Sequence, residues 1–102
     1  MDHVSQIKAE GLRVSAARFY HDASLRSIVL ETTGELSDRL DRCDPKPEAA
    51  LAVIAGISAW MLSAVKCSFK ANGTRYSEEE IDAAYEVLVT TASAKMARAM
   101  GD

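Results

Sequence analysis

The chain has 102 residues, with 12 Lys and Arg against 15 Asp and Glu, giving a formal net charge of -3 with histidine neutral. At 48% apolar residues it can form a core without a metal or disulfide staple, which excludes a disordered chain and a cysteine scaffold and fits a single domain. Seventeen alanines beside two prolines and five glycines favour helices over a sandwich or barrel, whose turns need more punctuation.

Residues 1–21 admit two readings. Val4, Ile7 and Leu12 have helical spacing, whereas Leu12, Val14, Phe19 and Tyr20 would suit an apolar arm, and Gly11 leaves the choice open. No basic stretch precedes a continuous apolar run, so no export signal is expected. The segment is predicted to pack alongside a bundle domain spanning residues 22–102, or to clasp a second chain.

From about Asp22 or Ser24 to Cys43, Leu25, Ile28, Val29, Thr32, Leu36, Leu40 and Cys43 recur on one helical face, which is expected to be buried. The opposite side pairs Glu35 with Arg39 and Asp38 with Arg42 at i,i+4, each worth about 0.2 to 0.5 kcal/mol. Gly34 interrupts good helix formers and predicts close packing or a local bend.

Asp44, Pro45, Lys46 and Pro47 form a sharp junction. Asp44 is expected to cap the next helix, with Pro45 at its first position and Pro47 tolerated within the first turn. That second helix is predicted to run from Pro45 to Phe69 or Lys70. Its segment Ala49 to Val65 contains no charged residue and carries Leu51, Val53, Ile54, Ile57, Trp60, Met61, Leu62 and Val65 on several faces. Such a helix needs cover from two neighbours or from another subunit, and it reads as the centre of a bundle. Seventeen residues reach about 25 Å, near the short limit for a bilayer span, but the Ala, Ser and Gly content favours a soluble core helix.

Asn72 and Gly73 mark the next turn. Ser77 followed by Glu80 makes a capping box, and Tyr76 with Ile81 occupies the positions of a hydrophobic staple. A third long helix follows to about Met100, with Ile81, Ala84, Tyr85, Leu88, Ala92, Met96 and Ala99 tracing its apolar face.

Chemical signatures are sparse. His21 beside Asp22 is the only local base-and-acid pair worth naming, since His3 with Asp2 makes neither a metal set nor a triad, but neighbours in a helix do not face each other, so it supports only a rival reading as a histidine phosphotransfer module or other small enzyme. Cys43 and Cys67 form no C-x-x-C pair and are expected to be buried thiols in a reduced compartment, the cytoplasm. Glu78, Glu79, Glu80 and Asp82 lack the histidines of a familiar metal set and suit capping and solvation. Lys66, Lys70 and Arg75, near Phe69 and Tyr76, make a thin basic and aromatic patch, the basis of a second rival, a nucleic-acid-binding helical protein.

These patterns predict an all-α chain: a small up-down-up helical bundle of three long helices with an additional N-terminal helix or arm. The functional expectation is a small cytoplasmic, non-enzymatic protein that regulates, inhibits or sequesters another protein, and that forms a homodimer. No catalytic residue, metal or cofactor is expected, and neither nucleic acid nor membrane is the expected partner. Trp60, Tyr85, Leu88 and Met96 are the candidate interface anchors.

Overall fold

The computed structural model describes the backbone of residues 1–43, 46–73 and 75–99, with the side chains of Tyr20, Ser93 and 95–99 outside that description. The chain is all-α. Its described elements are α1 (His3–Ala17), a short 3-10 turn (Arg18–His21), α2 (Ala23–Cys43), α3 (Pro47–Ala71) and α4 (Glu78–Ala99).

Local chemistry explains most of the helix ends. The Asp2 carboxylate accepts from the Ser5 amide at 2.8 Å, so a carboxylate cap resolves the N-terminal ambiguity in favour of a helix. Asp22 does the same for α2, its Oδ1 accepting from the amides of Ser24 at 2.9 Å and Leu25 at 3.2 Å. α3 begins two residues later than the junction predicts. Pro47 opens it and Lys46 sits at the cap with no side-chain hydrogen bond, while Asp44 and Pro45 lie outside the described residues. α3 ends where the Asn72 amide donates to the Ser68 carbonyl and Gly73 takes a φ of 69°, a left-handed conformation that glycine adopts without a Cβ penalty.

The predicted capping box is present at α4. Glu80 Oε1 accepts from the Ser77 amide at 2.8 Å, and Ser77 Oγ accepts from the Glu80 amide at 3.2 Å. Ile81 is buried and Tyr76 half-buried, as staple positions require.

Packing divides the chain into two compact units, one formed by Met1–Phe19 with Thr74–Asp102, the other by Tyr20–Gly73. The first holds α1 against α4. Among the described residues its buried apolar side chains are Ala9, Ile81 and Ala84, and Ala9 and Ala84 line a shallow groove shared by the two helices. On the predicted α4 face, Tyr85, Leu88 and Ala92 are half-buried beyond Ile81 and Ala84, while the side chains of Met96 and Ala99 lie outside the description. Thr90 and Thr91 donate back to the carbonyls of Glu86 and Val87, both at 2.9 Å, which keeps their hydroxyls satisfied within the helix.

The second unit differs from expectation. Neither α2 nor α3 has a buried residue. Leu25, Ile28 and Val29 are exposed, and only Leu36 and Leu40 of the predicted α2 face are half-buried. Within its own unit, α3 is therefore not an enclosed helix, because α2 alone leaves every side chain of α3 at least partly exposed. Cys43 and Cys67 are exposed free thiols rather than buried ones, for the same reason. Gly34 also departs from the close-packing reading, since a Cβ there would meet nothing within 4 Å. On the polar side of α2, Arg42 Nε donates to the main-chain carbonyl of Asp38 at 3.3 Å.

Candidate protein-interaction surface

The largest chemical feature of the molecule is an uncovered apolar helix. α3 presents Leu51, Ile54, Ile57, Met61 and Val65 as exposed side chains, and Trp60 is 76% exposed. On α2, Ile28, Val29 and Leu30 are exposed as well, and a shallow groove lined by Thr32, Leu36, Arg39 and Ile57 runs between α2 and α3. Scattered exposed leucines are ordinary on proteins, whereas the exposed apolar side chains of α3 follow one another along a single helix. α3 is also long and apolar enough to cross a membrane by length and composition, with a mean hydropathy of 1.8 over its best window.

Charge on α3 is confined to its ends. Glu48 stands in the first turn, Lys66 and Lys70 lie near the last, and Ala49 to Val65 is uncharged between them. Each end charge complements the adjacent helix pole.

Of the four anchors expected from the sequence, Trp60 is exposed on α3, and Tyr85 and Leu88 are half-buried on α4 in the other unit. Met96 falls on a side chain outside the described residues. The more extensive apolar display, Leu51, Ile54 and Met61 around Trp60, was absent from the anchor set. Its signal lay in the same uncharged run, which does not say which side chains lack neighbours.

The remaining chemistry is structural. In the α1 and α4 unit, Lys8 Nζ lies 3.4 Å from Glu80 Oε1 and 5.9 Å from the centre of the Tyr76 ring, and it donates to the Arg75 carbonyl. The Ser77 amide above all, then Ser5 and Lys8, hold the Glu80 carboxyl below the usual value of 4.5, against an opposing contribution from burial. Glu80 is thus committed to clasping α1 onto the start of α4. On α1, Arg13 Nε donates to Glu10 Oε2 at 2.9 Å, lowering the Glu10 carboxyl through that hydrogen bond.

His21 is exposed at the end of the 3-10 turn, and the Asp22 oxygen that would orient it is occupied by the α2 cap. Lys66 is half-buried and Lys70 exposed on α3, whereas Arg75 belongs to the other unit and the Tyr76 face lies beneath the Lys8 ammonium. Among the described residues, no group of three or more His, Cys, Asp and Glu side chains could hold a metal ion. Searches of family models, curated proteins and solved structures return no match to this chain.

Proposed function

We propose that this chain is a small protein-interaction module, homodimeric and cytoplasmic, that regulates another protein by occupying or sequestering a surface rather than by making or breaking bonds. The observation that supports it is α3: 25 residues of helix with no buried side chain and a tryptophan at its middle exposed to solvent. Helix faces of this kind gain free energy by entering a groove or pairing with another helix, and a central aromatic supplies the anchor. In the associated form, α2, α3 and α4 complete the up-down-up bundle with α1 alongside, the partner providing the layer that one chain lacks.

The experiment is capture of complexes from native lysate on the tagged full-length chain, in parallel with Trp60→Ala. A defined protein complex, identified and lost on that substitution, is the expected result. A chain that forms no stable complex with any protein, itself included, would overturn the reading.

One competing reading has its own observation. The hydropathy of 1.8 suits insertion of α3 in a bilayer, with Lys66, Lys70 and Arg75 as a positive flank. Its uncharged run spans about 25 Å against a hydrocarbon core of about 30 Å. Alkaline extraction of membranes separates the two, since a spanning chain stays in the pellet and a soluble module is released.

A further inference from the structure

We infer that the occupant of the α3 face is a second copy of this chain, and that the two α3 helices pair antiparallel about a two-fold axis near Ile57 and Ser58. The inference rests on the interaction-module reading and specifies its first partner, the face and the register.

Area supplies the first argument. Leu51, Val53, Ile54, Ile57, Trp60, Met61 and Val65 are between 42% and 76% exposed. Summed over the seven residues, these fractions leave about 700 Å² of α3 open, close to the roughly 800 Å² that each partner contributes to a standard stable interface. Leu25, Ile28, Val29 and Leu30 of α2, between 38% and 74% exposed, extend the surface toward about 1,100 Å² per chain. Two such faces together reach the obligate-homodimer range, which begins near 2,000 Å². A bilayer would cover α3 but leave this α2 surface in water, whereas a second chain can cover both.

Charge supplies orientation. α3 carries its one acid, Glu48, at the N-terminal end and its bases, Lys66 and Lys70, at the C-terminal end. A parallel pair would set Glu48 beside Glu48 and Lys70 beside Lys70. An antiparallel pair centred between Ile57 and Ser58 places Glu48 of one copy opposite residues 66–70 of the other, twice over by symmetry, and aligns the helix dipoles favourably. The pattern, which also suits the poles of each helix, is complementary to its own reverse.

The two exposed thiols allow a direct test on the full chain. In a Cys43→Ser background, Glu48→Cys leaves reactive thiols at position 48 and at Cys67. These lie about 28 Å apart along one helix, beyond the reach of a short bis-maleimide, so any link between them joins two chains. Sedimentation equilibrium without detergent should give twice the 11.0 kDa chain mass, and crosslinking should yield the link from position 48 to Cys67. Charge exchange provides a second arm on exposed residues. Lys70→Glu should weaken dimerisation several-fold, and adding Glu48→Lys should restore it.

Predominant Cys67 to Cys67 links would overturn the antiparallel register. A monomer at all concentrations would overturn the second-copy assignment, as would flotation with phosphatidylcholine vesicles in place of dimerisation. A monomer that forms a Trp60-dependent complex with a different protein defeats this inference alone. A monomer that binds no protein defeats the interaction reading with it.

Discussion

Ile81→Ala tests whether α1 and α4 form the stable unit of this chain. Ile81 is 5% exposed and, among the described residues, is the one large apolar side chain of a core otherwise made of Ala9 and Ala84. The substitution removes three carbons, about 0.8 kcal/mol each in transfer free energy, and leaves a space that neighbouring alanines cannot fill. The expected loss is about 3 kcal/mol, within the range for buried isoleucine truncation. A 102-residue chain holds only about 5 to 15 kcal/mol in total, so the melting temperature should fall by about 10 to 20 °C. Urea and thermal unfolding followed by far-UV circular dichroism measure this directly. Val4→Ala, at a 66% exposed position of α1, is the control and should stay within about 0.5 kcal/mol of wild type. A loss below about 1 kcal/mol for Ile81→Ala, or an equal loss for Val4→Ala, would refute the argument that this pair of helices is held by that side chain.

Three further outcomes follow from individual contacts. The Glu80 carboxyl titrates below its usual 4.5 in the folded chain, so its contribution is present above that value and disappears as pH falls through the lower folded one; wild-type stability should drop as pH falls below 4.5, and Glu80→Gln should flatten that part of the denaturation profile. Gly73→Ala should cost about 1 kcal/mol because φ is 69°, while Gly34→Ala should gain up to about 1 kcal/mol in monomer stability from helix propensity in open space; chemical denaturation of the two reads opposite signs. Trp60→Ala should weaken self-association by about 30- to 1,000-fold if the indole is covered at its centre, with helicity retained, and unchanged sedimentation would remove Trp60 from the interface.

What the sequence makes legible follows the range of the interactions involved. The Ser77 and Glu80 box is written within four residues, and Gly73 announces its own turn, so both are read without a fold. The Asp2 cap is equally local, whereas Gly11 within the same segment suits a helix and an arm alike. The clasp of Lys8 on Glu80 joins residues far apart in the chain, and no local pattern in either segment specifies it.

Burial is the quantity that periodicity overstates. The α4 stripe and the α2 stripe have the same kind of spacing, but Ile81 and Ala84 are buried against α1 while Ile28 and Val29 remain 58% and 61% exposed. A stripe states that a face needs cover; only a neighbour decides whether the cover comes from the same chain. For α3 the sequence signal was strongest and the intramolecular cover is least, and these two facts have one cause. A helix apolar on several faces demands more contact than one adjoining helix can give, so the more uniform its hydrophobic pattern, the more of its surface a single neighbour leaves open. On the interaction reading proposed above, Trp60 at the middle of that surface is the position where packing inside one molecule and recognition between molecules become the same physical requirement.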